Sequence, residues 1–197
     1  MLAQPPLSLY IHIPWCVKKC LYCDFNSHPL RSDVSPENYT ESIIKALMQY
    51  RHALQAREIQ TVFFGGGTPS LLSLKQLEKI LSTFQSQSWG PVGEWTVECN
   101  PATVSKDKAE LLKQAGVNRI SMGVQSLDPD LLDRLGRIHS RDQVFRSFDI
   151  LRSAGFENIN LDLMFGIPTQ TMAQWQSTLD EITEMKSDHI SCYEVIY

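Results

Sequence analysis

No segment of this sequence approaches the roughly 20 consecutive apolar residues that a membrane-spanning helix needs, so no transmembrane segment is expected. The opening residues, MLAQPPLSLYIHIPWC, lack the basic stretch, apolar run and small-residue cleavage site of a secretory leader. The cytoplasm is therefore the expected compartment. Clusters of Lys and Arg are missing too, and 22 acidic against 18 basic side chains leave a formal net charge of −4. Nucleic acid, whose binding needs a concentrated basic surface, is not an expected partner. Cysteine is scarce and unevenly placed: of 5 in the chain, three crowd between positions 16 and 23. An odd number so distributed suits metal ligation in a reducing compartment better than a disulfide framework.

What the sequence has is enough apolar material for one sizeable core, with 43% hydrophobic and 20% charged residues in 197. One domain over residues 1–197 is expected. Runs of β type fall at 7–13, 60–65, 94–99, 118–124, 159–164 and 189–194, with stretches of helical spacing between them. Helix starts are signalled by Ser35-Pro36 and by three capping boxes, Ser73…Gln76, Ser140…Gln143 and Thr171…Gln174. Helix ends fall at Gly116 and Gly155, inside two similar phrases, Gln-Ala-Gly-Val-Asn-Arg-Ile and Ser-Ala-Gly-Phe-Glu-Asn-Ile. Such βαβα alternation predicts an α/β fold with a parallel sheet, either an open doubly wound sheet or a barrel.

The strands favour the barrel, because each has one apolar and one polar face, whereas a sheet buried on both sides reads as continuously apolar. Leu7, Leu9, Ile11 and Ile13 oppose Ser8, Tyr10 and His12; Arg119, Ser121, Gly123 and Gln125 share a face; Asn160 and Asp162 oppose Ile159, Leu161 and Leu163. The polar set is expected to line a wet interior. The chain stops at Tyr197 directly after the sixth predicted strand, and a continuation that would cover this unit is expected in a full-length protein.

Cys16-Val-Lys-Lys-Cys20-Leu-Tyr-Cys23 is a C-x3-C-x2-C spacing set directly after the first strand, in the loop that a βα barrel presents at its ligand-binding mouth. Three thiolates can hold three irons of a cubane cluster and leave the fourth iron open. Spacing alone also admits zinc, with His12, His28 or Cys99 as fourth ligand. Cys99 and Cys192 fall on apolar strand faces and are expected to pack as small hydrophobes. His139 and His189 read as ordinary surface or strand residues, and Trp175 and Leu179 as helix core.

His12-Ile-Pro-Trp-Cys16 through Cys23-Asp-Phe-Asn-Ser-His28, followed by Phe64-Gly-Gly-Gly-Thr-Pro-Ser70, resembles the radical S-adenosylmethionine (SAM) superfamily. The wording is closest to its coproporphyrinogen III oxidase-like branch, and within that branch to the HemW haem chaperones. The resemblance covers nearly the whole chain. It implies a partial (βα)6 barrel, with the family's C-terminal part and C-terminal domain absent. Its [4Fe–4S] cluster sits on Cys16, Cys20 and Cys23, binds SAM through amino and carboxylate groups, and reduces the sulfonium to a 5′-deoxyadenosyl radical.

For SAM, the resemblance implies contacts from Tyr10, from Gly66, Gly67 and Thr68, and from Glu98 to the ribose hydroxyls. It adds Gln125 and Asp162 on the lumen face, and Arg137 facing the methionine carboxylate through its planar fork. Read singly, Glu98 and Asp162 could instead pair with Arg119 or Arg137, and Gln125 could be a satisfied core amide. The implied function is to bind haem and pass it to acceptor haemoproteins, with an oxygen-independent coproporphyrinogen III oxidase as the alternative. Phe25 bears on that choice, since the oxidases usually carry a further cysteine at that position. The haem-binding His-Asn-x-x-Tyr-Trp motif of the chaperone branch does not occur in these residues, so haem is expected of a longer protein.

Overall fold

The computed structural model describes residues 5–31, 35–55, 57–87 and 89–195. Its elements run β1 (Leu7–Ile13), β2 (Trp15–Cys16), β3 (His28–Pro29), α1 (Pro36–Gln55), β4 (Ile59–Gly66), α2 (Leu74–Gln85), β5 (Glu94–Cys99), α3 (Lys106–Gln114), β6 (Arg119–Gln125), α4 (Pro129–Arg134), α5 (Arg141–Ser153), β7 (Asn158–Phe165), α6 (Met172–Glu184) and β8 (His189–Glu194). Each predicted strand is present to within a residue or so at its ends. All three predicted capping boxes form, with both reciprocal bonds made at Ser73, Ser140 and Thr171. Ser35 opens α1 by accepting the Asn38 N–H at 3.3 Å.

The two similar phrases prove to be the same device. At the end of α3, Gly116 has φ +100°, its N–H donates to Lys113 O, and the N–H of Val117 donates to Leu112 O. At the end of α5, Gly155 has φ +89°, with Gly155 N–H to Arg152 O and Phe156 N–H to Leu151 O. This is the Schellman arrangement, which satisfies two orphan carbonyls through a left-handed residue that glycine adopts without a Cβ clash.

Among the described residues, six strands form one sheet in the order β1-β4-β5-β6-β7-β8, every neighbouring pair parallel. Spatial order equals chain order, which is barrel winding; a doubly wound sheet reverses direction at a switch point. β1 and β8 each have one partner, so the barrel is open. Outward-facing Phe64, Trp95, Val97, Ile120, Met122, Ile159 and Leu161 lie in one core with Leu77, Ile80, Leu81 and Phe84 of α2. A fully buried side chain of this size contributes about 1.5–3 kcal/mol relative to exposure. The lumen face keeps Thr96, Glu98, Arg119, Ser121, Asn160 and Asp162.

Three elements, β2, β3 and α4, were not legible in the sequence. β2 and β3 pair Trp15 with His28, and His28 N–H to Pro14 O (2.7 Å) and Leu30 N–H to Cys16 O (2.8 Å) tie off the cysteine loop at its base. α4 is a six-residue helix capped by Asp128, whose carboxylate accepts from Asp130 and Leu131 N–H. Among the described residues no helix is long and apolar enough to cross a membrane.

Candidate functional site

The lumen and the cysteine loop together enclose a cavity of about 440 Å³. Ten of the eleven residues singled out above line it: Cys16, Cys20, Cys23, Gly66, Gly67, Thr68, Glu98, Gln125, Arg137 and Asp162. Tyr10 does not. It lies on the rim of a groove between the β1 edge and α1, 56% exposed, with its ring stacked on that of Phe63 at 6.0 Å. Because β1 is an edge strand, its lumen-facing side chains meet solvent on one side.

The three cysteines are free thiols, and neighbours approach each of them. Thr68 Oγ1 donates to Cys16 Sγ at 3.5 Å, Arg137 Nη1 lies 3.5 Å from Cys20 Sγ, and Ser27 Oγ lies 3.9 Å from Cys23 Sγ. Neighbours so placed can hydrogen-bond a sulfur that ligates iron. Among the described residues no three His, Cys, Asp or Glu side chains gather around one point. Two of the three alternative fourth zinc ligands, His12 and Cys99, are occupied or turned away. His12 takes the Tyr10 hydroxyl on Nδ1 (3.1 Å) and donates from Nε2 to Asn26 O (2.8 Å). Cys99 is buried on the outer face of β5, where burial pushes its thiol up to about 12. The residues present fit a three-thiolate cluster.

The glycine run serves the protein itself. A Cβ on Gly66 would collide with the His12 ring, and one on Gly67 would stand 2.6 Å from Trp15 O. Gly66 N–H instead donates to Glu98 Oε2 at 3.0 Å, aligning the carboxylate against the end of β4. Burial, followed by the charge of Asp162, pushes Glu98 up to about 7, with the Gly66 bond opposing. Burial also raises Asp162. Its oxygens accept from Ser121 Oγ (3.0 Å) and Asn160 Nδ2 (2.8 Å). Neither carboxylate forms an ion pair with Arg119 or Arg137 among those described. Both acceptor groups thus remain directed into the cavity, as a polyhydroxylated or cationic ligand would require.

Two of the histidine and cysteine expectations are corrected, those for His139 and Cys192, while His189 is an exposed strand residue as expected. His139 is buried, 4% exposed, because the segment after α4 turns inward; its Nε2 donates to Val124 O at 3.0 Å. His189 joins the lumen network, donating from Nδ1 to Asn160 Oδ1 at 2.5 Å beside Ser191 Oγ at 3.0 Å. Cys192 is exposed on β8, an edge strand, and does not pack in the core. The cavity also takes in Tyr22, Asn100, Thr103, Met164, Ser191 and Tyr193. Strand alternation could have found Ser191 and Tyr193, but no sequence period reports which loop residues turn inward.

With this geometry in hand, comparison with known proteins is informative. A family model described as the radical SAM superfamily matches residues 10–182. The chain is 42% identical over 196 residues to the haem chaperone HemW of Escherichia coli (strain K12), covering 99% of this chain and 52% of that protein. Against HemW of Bacillus subtilis (strain 168) the identity is 39% over 191 residues, covering 96% and 50%. The solved structure of coproporphyrinogen III oxidase (HemN) from Escherichia coli, a radical SAM enzyme, superposes with a TM-score of 0.90 at 28% identity, covering 97% of this chain and 44% of that one. The chain thus spans about half the length of the curated relatives it matches.

Proposed function

The chain belongs to the radical SAM superfamily, and from that premise we propose that it holds a [4Fe–4S] cluster on Cys16, Cys20 and Cys23, binds SAM in the adjoining cavity, and serves haem transfer to acceptor haemoproteins. The observation that carries the reading is that three free thiols, the Gly66–Thr68 turn, Glu98, Gln125, Arg137 and Asp162 all line one cavity. When bound, the cluster supplies an electron to the sulfonium of SAM. The chain's own residues bind and orient. The backbone of Gly66 and Gly67 lines the cavity where an amino group would sit, Arg137 offers its fork to a carboxylate, and Glu98 accepts from ribose hydroxyls.

Identity with the HemW proteins supports the chaperone reading over the oxidase, as does Phe25, which is 62% exposed. Haem titration followed at the Soret band, run beside an assay with coproporphyrinogen III, separates the two. Haem bound without decarboxylated product supports the chaperone, and vinyl product would overturn it.

The cofactor site is tested by anaerobic reconstitution with iron and sulfide, then EPR of the dithionite-reduced protein with and without SAM. The expected result is a [4Fe–4S]⁺ signal that SAM perturbs; zinc in place of iron, or a cluster indifferent to SAM, would sink the assignment. Cys16→Ser, Cys20→Ser and Cys23→Ser should each abolish cluster assembly while Cys99→Ser leaves it intact. Equal iron loss in the Cys99 variant would contradict the ligand set.

A further inference from the structure

The end of β6 departs from regular strand geometry. Its pairing with β7 slips between Gly123, opposite Asp162, and Gln125, opposite Leu163, so Val124 is the extra residue of a bulge. Gln125 adopts φ +68°, and Ser126 N–H closes onto Val124 O at 2.9 Å, a three-residue turn of the strained kind. Such a conformation persists only where its surroundings hold it. Here two side chains of one short segment grip consecutive carbonyls: Arg137 Nη2 donates to Gly123 O at 2.6 Å, and His139 Nε2 donates to Val124 O at 3.0 Å. Arg137 also reaches Cys20 Sγ. Gly123 lets the parts meet, since a Cβ there would lie 3.0 Å from Gln125 Nε2 and 3.3 Å from Arg137 Nη2.

His139 is a poor choice as mere filling. It is buried, and its Nδ1 has no partner among the described residues, a cost that an apolar side chain of similar size would avoid. What an apolar side chain cannot supply is the N–H aimed at Val124 O.

We infer that His139 is a positioning residue for the cofactor site, holding the β6 bulge so that the Gln125 amide and the Arg137 guanidinium face the cavity beside the cysteine loop. The inference rests on the reading of that cavity as the cluster and SAM site. Burial, reinforced by the Arg137 charge and opposed by the Val124 bond, pulls the imidazole down to about 4. The ring is thus a neutral donor, with its proton fixed on Nε2.

The test compares the parent chain with His139→Leu and His139→Gln, the second carrying an amide N–H of similar reach. Two quantities are read: SAM affinity of the reconstituted protein from the SAM-induced EPR change, and amide exchange at Gln125 and Ser126 of the metal-free chain. His139→Leu should keep its iron but bind SAM about tenfold more weakly, the equivalent of one hydrogen bond, and should exchange faster at those two amides. His139→Gln should return both readouts to within about threefold of the parent. Parent-like behaviour of the leucine variant overturns the inference, and so does a glutamine variant that folds but recovers neither. If the leucine variant does not fold, the glutamine variant decides. A parent cluster that ignores SAM is a failure of the site reading, and the exchange measurement on metal-free protein still tests the grip on the turn.

Discussion

Glu98 carries a plain electrostatic conflict: it is enclosed near a second carboxylate, Asp162, with one backbone donor to offset both effects. Its folded pKa of about 7 stands above the ordinary 4.5. Between those values the folded state keeps a proton that the unfolded chain has released, so stability falls as pH rises through the window and stays lowered above it. Glu98→Gln removes this dependence. Denaturant midpoints of the metal-free protein at about pH 5 and about pH 8 should differ less in the variant than in the parent. Identical pH dependence in the two would mean that Glu98 ionises normally. The residue type at position 98 was legible from its place at the end of a strand; its conflict with Asp162 was not, because 64 positions of chain separate the two. His139 failed as a sequence reading for the same reason. A histidine in a polar loop carries no local mark of burial.

At the scale of elements, the legible features were those fixed within about five positions of the chain. Capping boxes and Schellman caps join atoms three to five positions apart, and all of those predicted are formed. Gly116 provides a clean test, because a Cβ there would meet nothing within 4 Å while φ is +100°. Gly116→Ala should therefore cost about 1–2 kcal/mol through backbone strain alone, and Gly116→Asn distinctly less, since asparagine tolerates the left-handed region. Thermal or urea unfolding of the pair checks this, and equal cost in both would place the penalty in packing instead. The β6 bulge and the β2–β3 pair escaped prediction because each depends on a partner strand that the local sequence does not name.

For the whole molecule, the main core runs beneath β1, β4, β5, β6 and β7, with Ile190 of β8 at its edge and a second small cluster around Leu131, Leu135 and Met164. Phe64 sits fully buried within the main core, its ring 5.8 Å from that of Trp95. Phe64→Ala should destabilise the protein by about 3–5 kcal/mol, read as a shift in the urea midpoint at unchanged slope. A cost below about 1 kcal/mol would mean that the site collapses around the deletion.

The sequence by itself determined the alternation of strands and helices, which face of β1, β4, β5, β6 and β7 meets the core, the position of the cysteine loop after β1, and the superfamily, because periods, caps and motif spacings are local. Only the tertiary structure decided that Tyr10 stands at an open edge, that His139 turns inward, and that Glu98 and Asp162 share one enclosed space. Those outcomes follow from which strands become neighbours and which loops fold over the lumen, and both are settled by contacts between residues far apart in the chain.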